Sequence, residues 1–209
     1  MKKFLLTCAL MLCATSIFAQ SSGDNRPSPF SVGVVGFGYI PTSGTFEGDD
    51  YDYIGYGGGA GVTLKANFNR FVGLATNINY TYGSKKDIDG MATFNSKSHI
   101  FEIREALVVQ YETKRDENGF VPWLSLGVGA TVHNFGMEFE SVAMDSATGV
   151  GFNVNVGAGV RYNFKHFYTG VSVDYSYALA YSDDFLAISG YNASNPSGVR
   201  AGVELGFRM

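Results

Sequence analysis

The chain ends with Ser197-Gly-Val-Arg-Ala-Gly-Val-Glu-Leu-Gly-Phe-Arg-Met209, in which two kinds of residue alternate. One set of alternate positions is apolar: Val199, Ala201, Val203, Leu205 and Phe207. The other set is charged or has no side chain: Arg200, Gly202, Glu204 and Gly206. Because side chains alternate between the two faces of a β-strand, this stretch predicts a strand with one apolar and one polar face. The apolar face can cover a soluble core, or it can face lipid around a closed sheet with a polar interior.

The same two-faced pattern recurs about eight times along the chain. Besides the last stretch, it predicts strands at residues 30–40, 57–68, 71–82, 98–111, 121–135, 150–162 and 167–178. The two faces of the first strand are poorly distinguished, so its register stays open. Glu105 falls on the apolar face of the fourth strand, where a β-bulge would restore the alternation. The prediction is therefore an all-β, eight-stranded antiparallel barrel with an up-and-down order of strands.

Three features favour a transmembrane barrel over a soluble one. Long predicted connections (42–56, 83–97, 136–149 and 180–196) alternate with short ones (69–70, 112–119 and 163–166), as in outer-membrane barrels. The predicted strands have about 10–14 residues, whereas strands of soluble domains have about five or six. Aromatic residues gather near the strand ends, where the two interfacial girdles of such barrels lie: Tyr80, Tyr82, Tyr111, Phe120, Tyr162, Phe164, Phe167, Tyr175 and Tyr177. The alternative, a soluble lipocalin-like barrel, would turn its polar faces, with Lys65, Arg104, Arg161 and Glu204, to water.

The N-terminus has the organisation of a secretory signal peptide. Two lysines precede an apolar run, and small residues follow near a cleavage point that we place after Ala19. We therefore predict a signal peptide at 1–19, a flexible lead-in at 20–29 and the barrel at 30–209. Both cysteines, Cys8 and Cys13, lie in the predicted signal peptide, so we expect no disulfide or thiol chemistry.

The charge of the chain argues against nucleic acid as a partner. Removal of Lys2 and Lys3 takes the 15 basic residues to 13, against 19 acidic ones, a formal charge of −6. Phosphate binding needs clustered Lys and Arg, which this balance does not favour. We also expect no cofactor.

The chain resembles the small outer-membrane β-barrel family that includes the OmpA transmembrane domain and OmpX, among the porin-family outer membrane proteins. The last strand resembles the assembly signal of these proteins, with Arg200, Gly202, Leu205 and Phe207 in its positions. It departs from the signal in that Arg208 and Met209 follow the aromatic residue. The resemblance implies a monomer in the outer membrane of a Gram-negative cell. The partners it implies are membrane lipid, lipopolysaccharide and the barrel-assembly machinery.

The predicted interior contains charges of both signs. These residues are Lys65, Glu102, Arg104, Arg161, Asp174, Arg200 and Glu204. In a narrow lumen they must pair or stay hydrated, and eight-stranded barrels are generally filled by side chains, so we expect a structural polar network. A thin aqueous path is the alternative, because inward glycines leave space: Gly59, Gly61, Gly127, Gly129, Gly157, Gly159, Gly202 and Gly206. Inward glycine also relieves crowding beside Trp123 or Tyr168, so it does not decide between the two.

Catalysis and metal binding are weakly supported by the sequence. Some barrels of this size modify lipid A with Ser-His-acid groups at the lipid-facing rim, but His99, His133 and His166 lie on different strands or turns and lack the serine spacing of those enzymes. The stretch beginning Asp50-Tyr-Asp52 resembles the start of a calcium loop, but Ile54 and Gly61 occupy ligand positions, so we expect no metal. The predicted outer loops are rich in Tyr, Asp, Gly and Ser, which suits an extracellular ligand or simple solubility. We expect a structural or surface-interaction barrel, with a small solute channel and, more remotely, a lipid-modifying enzyme as alternatives.

Overall fold

A computed structural model describes residues 27–42, 55–89, 92–139, 142–181 and 197–209. Its eight strands are β1 (Phe30–Pro41), β2 (Gly57–Asn67), β3 (Val72–Asp89), β4 (Ala92–Gln110), β5 (Gly119–Phe139), β6 (Val142–Phe164), β7 (Phe167–Tyr181) and β8 (Gly198–Arg208). Each strand pairs antiparallel with the next, and β1 also pairs with β8, so the sheet closes into a barrel. The predicted all-β, eight-stranded up-and-down fold is confirmed. No helix long and apolar enough to cross a membrane occurs in the described ranges.

The structure decides the register of β1, which the sequence left open. Ser31, Gly33, Val35, Phe37 and Tyr39 face the lumen, and Val34 and Ile40 face outward. The physical reason is cross-strand space. A Cβ on Gly59 would lie 2.6 Å from the Phe37 ring, and one on Gly198 would overlap the Tyr39 ring. Glycines on the neighbouring strands therefore make the room that these two inward aromatic side chains occupy.

Four strands continue well beyond their predicted ends. The prediction of loops at 83–97 and 136–149 was wrong, because β3 and β4 pair as far as Asp89↔Ala92, and β5 and β6 as far as Phe139↔Val142. In this part the outward side chains become polar, for example Lys86, Lys97 and Thr148. Outward apolar side chains are needed only where lipid covers the sheet. Strands that continue into water pair through their backbones and do not need this alternation. We call this extension (84–89, 92–97, 134–139 and 142–149) the projecting wall.

The proposed bulge at Glu105 is not present. Glu105 stands opposite Thr76 on β3 and Val128 on β5 in an uninterrupted register, so its side chain lies on the outer face of the barrel. The irregularities of the described pairing are elsewhere, at Met137/Glu138 and Phe152/Asn153. The exception to the apolar pattern at Glu105 is therefore real.

Aromatic side chains mark both ends of the apolar outer surface. Beside the short turns they touch one another, as in the Phe120–Tyr162 pair (ring centroids 4.9 Å apart) and the Phe164–Phe167 pair (4.9 Å). The opposite ring of aromatic residues includes Phe101, whose cross-strand partner is Tyr80. The run of chain from Phe101 to Tyr111, at about 3.3 Å per residue and a tilt of about 40°, corresponds to roughly 25 Å of height, the thickness of an outer-membrane apolar band. We call the end with the short turns the turn end, and the opposite one the wall end.

The predicted N-terminal segments lie mostly outside the described residues. Of the lead-in, residues 27–29 are described, and there Ser28 is buried and its carbonyl accepts a hydrogen bond from Asn67 Nδ2 at 2.7 Å. The acidic stretch at Asp50–Asp52 also lies outside them. Within the described ranges, no group of three or more His, Cys, Asp or Glu side chains could hold a metal ion.

Candidate functional site in the barrel lumen

A buried cluster of charges crosses the lumen at the turn end. At its centre is Glu112, in the turn between β4 and β5, with a side chain that is 1 % exposed. Its carboxylate is 3.2 Å from Lys65 Nζ, 3.7 Å from Arg208 Nη2 and in direct contact with Arg161 Nη2. Asn163 Nδ2 donates a further hydrogen bond to Glu112 Oε1 at 2.6 Å. These four charged residues, which we call the floor cluster, bring β2, β6, β8 and the β4–β5 turn together.

Arg208 ties the floor cluster to the short turns. Its guanidinium donates to the backbone carbonyls of Thr113 (3.3 Å), Lys114 (2.9 Å) and Lys165 (3.2 Å). These carbonyls belong to two different turns, β4–β5 and β6–β7. The last strand is thereby joined to two turns across the opening, and the guanidinium occupies the space between them.

Glu112 and Arg208 were missed by the sequence reasoning, although a signal for both was present. Glu102, Arg104 and Gln110 share the inward face of β4, and one further step of two residues leads to Glu112. Likewise, two more residues beyond Gly206 on the inward face of β8 lead to Arg208. The outward apolar residues of the two predicted strands end at Tyr111 and Phe207, whereas the inward polar face continues by one more residue beyond the part of the sheet that lipid covers.

A second charged cluster crosses the lumen nearer the wall end. Arg200 on β8 contacts the Glu102 carboxylate on β4 at 2.5 Å and the Asp174 carboxylate on β7 at 3.5 Å. Arg104 on β4 donates to Asp174 at 2.5 Å and lies 3.8 Å from Glu102. These four residues, which we call the middle cluster, form alternating positive and negative charges from three strands. Glu102 is fully buried.

Neutral side chains complete the middle cluster. Asn153 Nδ2 donates to Glu102 Oε1 at 2.6 Å, and Asn155 Oδ1 accepts from Arg104 at 3.3 Å. With its amide oxygen turned toward Arg104, Asn79 accepts from Nη2 at 2.9 Å. Glu102 and Arg104 therefore have neutral polar neighbours in addition to their ion pairs, which partly offset the loss of water around them.

Glu204 joins the network through a tyrosine rather than through an ion pair. The Tyr168 hydroxyl donates to Glu204 Oε1 at 2.6 Å, and the guanidinium of Arg161 lies 5.1 Å from the centre of the Tyr168 ring. Tyr168 is almost fully buried and links Glu204 to the floor cluster by this cation–π contact. Of the seven predicted interior residues, Lys65 and Arg161 meet in the floor cluster, Glu102, Arg104, Asp174 and Arg200 in the middle cluster, and Glu204 lies between them.

A cavity of about 80 Å³ lies between the two clusters. Its lining includes Lys65, Arg104, Trp123, Arg161 and Asp174, so charged groups from both clusters face it. This volume holds a few water molecules. Toward the wall end, the buried side chains of Tyr39 and Ile100 pack together in the lumen.

Electrostatics favour the ionised form of the Glu112 carboxyl in the floor cluster. Burial alone would raise the pKa of the Glu112 carboxyl, but the positive charges of Arg161, Lys65 and Arg208 and the Asn163 hydrogen bond bring its pKa below the ordinary value. In the projecting wall, the hydrogen bond and charge of Glu138 raise the pKa of Lys97. The Lys97–Glu138 pair is solvent-exposed and adds little stability.

Comparison with known proteins identifies the family. Residues 5–208 match the family described as outer membrane protein beta-barrel domain. The chain belongs to this family. Comparison with curated proteins gives no match. The protein is therefore an outer-membrane β-barrel, and its lumen clusters can be described with that setting in mind.

Solved structures of outer-membrane proteins share the fold. This barrel is similar to Neisserial surface protein A (TM-score 0.55, 12% identity, 87% of this chain and 98% of that one). It is also similar to Ail, the attachment invasion locus protein of Yersinia pestis (TM-score 0.51, 13% identity, 90% and 100%), and to OprG from Pseudomonas aeruginosa (TM-score 0.50, 13% identity, 90% and 100%). At these identities the likeness concerns the fold alone.

In outer-membrane barrels the short turns face the periplasm and the long connections face the exterior. We therefore expect the floor cluster of this barrel at the periplasmic opening and the projecting wall outside the cell. In the assembly-signal stretch, Leu205 and Phe207 are exposed on the outer face, whereas Arg200 is buried in the middle cluster. One residue of that stretch therefore also belongs to the lumen.

The three histidines of the barrel do not share a site. His99 Nδ1 lies 2.7 Å from the Tyr80 hydroxyl on the outer face, and His166 is in the exposed β6–β7 turn. His133 faces the lumen, where its Nε2 is 2.5 Å from Ser98 Oγ on β4. This Ser98–His133 contact was not expected from the sequence, because the two residues are on different strands. Both side chains are buried, away from the lipid-facing rim.

Proposed function

We propose that this outer-membrane barrel is a non-conducting structural protein that displays the projecting wall to the outside of the cell. The observation that carries the proposal is the pair of charged clusters across the lumen. Glu112 and Glu102 are both buried, and each contacts cations from other strands. An ion or solute passing through the barrel would have to separate both sets of contacts.

Separation of such contacts is energetically unfavourable. Removing one partner of a buried ion pair typically destabilises a protein by about 3–5 kcal/mol, because the remaining charge is left without compensation. The described cavity lies between the clusters and is bounded by the floor cluster on one side and the middle cluster on the other. A small solute channel is the second candidate, and the charges that line the cavity are the observation that favours it.

The projecting wall supports a surface-interaction role. Its outward face presents polar and charged groups, including Lys86, Lys97 and Thr148, beyond the ring of aromatic residues. The similar protein Ail has been crystallised in complex with the heparin analogue sucrose octasulfate. We propose that this chain likewise contacts an extracellular ligand with its outer hairpins, and sucrose octasulfate is a suitable first probe.

We propose that Arg200, Gly202, Leu205 and Phe207 serve as the signal for the barrel-assembly machinery, and that the outer surface contacts lipid and lipopolysaccharide. We propose no catalytic activity, since the three histidines lie at separate places. We also propose that residues 1–19 act as a cleaved signal peptide.

A shortened-hairpin variant separates the structural role from the surface role. In this variant, residues 85–96 and 137–145 are each replaced by Asn-Gly, which joins the strands at the paired positions Ser84↔Lys97 and Gly136↔Ser146. We expect a heat-modifiable barrel, envelope resistance to detergent equal to that of wild type, and loss of binding to the extracellular probe. Uptake of small solutes that depends on this protein would instead favour the channel.

A further inference from the structure

One arginine at the turn end of the outer surface has no carboxylate partner among the described residues. Arg70 lies in the β2–β3 turn, with its guanidinium carbon 4.7 Å from the centre of the exposed Tyr111 ring. Arg70 Nε donates a hydrogen bond to the Glu112 carbonyl at 3.0 Å, which holds the side chain in this position. Its two Nη atoms have no acceptor in the described ranges. The lumen arginines, by contrast, all contact carboxylates.

The position of this guanidinium suits a phosphate group. The Tyr111 ring belongs to the aromatic girdle at the turn end and also contacts Phe71, with ring centroids 5.8 Å apart. In membrane proteins, such girdles and the basic residues beside them lie at the level of the lipid headgroups. A guanidinium offers parallel N–H donors that match the oxygens of a phosphate in pairs. The Nη donors of Arg70 therefore lie at the depth of lipid phosphates.

An apolar groove begins at the same tyrosine. It has a volume of about 710 Å³ and runs across the outer faces of β4 to β7. Tyr111 and Val109 form its side on β4, and Val171 and Val173 form its side on β7. These four side chains are all more than half exposed in the barrel alone. Ala158 lies between the two sides with the smallest outward side chain of the lining, so the surface is lower there than around it. We call this depression the Tyr111 groove.

Hydrocarbon has to fill the Tyr111 groove in the membrane, because an apolar surface without neighbouring atoms loses its dispersion contacts. At the turn end, which we expect to face the periplasm, this hydrocarbon is the acyl chains of phospholipids. A phospholipid also carries an anionic phosphate at headgroup level, which complements the charge of Arg70. One molecule therefore fits both features, the donors on the β3 side of Tyr111 and the groove on its β5 side.

We propose that Arg70 and the Tyr111 groove form a site for one phospholipid, with its phosphate at the Arg70 Nη atoms and one acyl chain along the groove. This site rests on the proposed contact of the outer surface with lipid, and it gives one lipid molecule a particular place and orientation. A protein in the groove would need apolar side chains there and also an acidic group beside Arg70. A phospholipid supplies both groups throughout the leaflet.

Photochemical labelling by a phospholipid tests this site. The full chain is reconstituted in vesicles of phosphatidylcholine that contain one tenth of phosphatidylglycerol with a diazirine in one acyl chain. After illumination, the labelled positions are mapped by mass spectrometry. We expect at least fivefold more label on the groove residues of β6 and β7 than on Val203 and Leu205, which are exposed on β8 outside the groove.

Two substitutions each remove one half of the site. Arg70→Gln removes the positive charge and Ala158→Leu fills the groove, and we expect each to lower the groove label at least threefold. Arg70→Lys, which keeps the charge, should retain more than half of the label. The matched controls are Arg115→Gln in the exposed β4–β5 turn and Ala201→Leu on β8, in the same cross-strand row as Ala158. Both controls should label as wild type does.

Heat modifiability shows that each variant is folded. Label spread evenly around the belt would overturn the site but leave the proposed lipid contact intact, whereas a barrel without any label would contradict both. A groove that stays unlabelled while the rest of the belt is labelled would indicate a protein in this place and would also overturn the site. The same holds for groove label that is unchanged by Arg70→Gln or by Ala158→Leu.

Discussion

Lys65 on β2 donates a hydrogen bond to the carboxylate of Glu112 at 3.2 Å, although Glu112 lies in a turn outside the strands. A turn residue thus supplies the negative charge at the centre of the floor cluster. Lys65, Arg161 and Arg208 come from three strands, and each contacts this single carboxylate. The β4–β5 turn therefore supplies the negative charge that holds three strands together at the turn end of the lumen.

Replacement of Glu112 by Gln should strongly destabilise the barrel. Three buried cations would lose their common partner, and removal of one member of a buried pair costs about 3–5 kcal/mol. We expect the free energy of unfolding, measured by urea titration in lipid vesicles, to fall by roughly this amount. Asp116→Asn, an exposed change in the same turn, is the control and should stay within about 0.5 kcal/mol of wild type. A Gln variant as stable as this control would contradict the description of the cluster.

The stability conferred by Glu112 should disappear in acid. The pKa of this carboxyl is lowered in the folded barrel relative to its ordinary value, because the charges of Arg161, Lys65 and Arg208 outweigh the effect of burial. A depressed folded-state pKa gives a contribution that is present above the unfolded pKa and lost as the pH falls through the folded pKa. We therefore expect the stability difference between wild type and Glu112→Gln to be constant above about pH 5 and to shrink as the pH falls below the ordinary pKa of a glutamate carboxyl. Urea titrations of the two proteins over this range provide the measurement, and a difference that grows in acid would refute it.

A methyl group at Gly159 should disturb the lumen near Trp123. A Cβ there would lie 2.6 Å from Trp123 Cζ2 and 2.6 Å from the Val171 carbonyl oxygen, so the ring and the neighbouring backbone would have to move. We expect Gly159→Ala to cost about 1–3 kcal/mol, as overpacking typically does, and to shift the Trp123 emission. Gly36→Ala is the matched control, since nothing lies within 4 Å of its Cβ position. Equal stability of the two variants would show that the lumen is less tightly packed than described.

The projecting wall should be accessible from outside the cell. We expect Thr148→Cys, in a Cys8→Ser/Cys13→Ser background, to react with a membrane-impermeant maleimide on intact cells. Arg115→Cys, exposed in the β4–β5 turn, should react only after the outer membrane is permeabilised. The reverse pattern of labelling would mean that the wall faces the periplasm.

The strands within the lipid belt could be predicted from sequence because lipid imposes a strict alternation. On β6, for example, Phe152 and Val156 face outward while Asn153 and Asn155 face the lumen, and the residue pattern alone shows this. The same alternation predicted that the side chains of Lys65, Arg104 and Arg200 face the lumen. The partners of each charge could not be predicted, because they depend on how eight strands are staggered around the barrel.

The ends of the strands could not be predicted by the same reasoning. At Lys86, Lys97 and Thr148 the outward side chains are already polar, so the hydrophobic signal had stopped while the backbone ladder continued. At Glu105 a polar residue interrupts the apolar pattern inside the lipid belt. Its position against the pattern suggested a bulge, but the structure keeps the register and pairs the carboxyl with Thr76. The strand ends were mispredicted because an alternating pattern reports contact with lipid rather than strand pairing, whereas at Glu105 a hydrogen bond with Thr76 accompanies a polar side chain on the outer face.

We propose that the floor cluster and the middle cluster together prevent ions from passing through the lumen. Single-channel recording of the refolded wild-type barrel in a planar bilayer tests it most directly, with Glu112→Gln and Glu102→Gln measured in parallel. The closed lumen predicts a silent wild-type barrel, in preparations where heat modifiability shows that the protein is folded. Steady wild-type openings whose ion selectivity changes on charge reversal of Arg161 or Glu204 would contradict the claim and establish a pore lined by those residues.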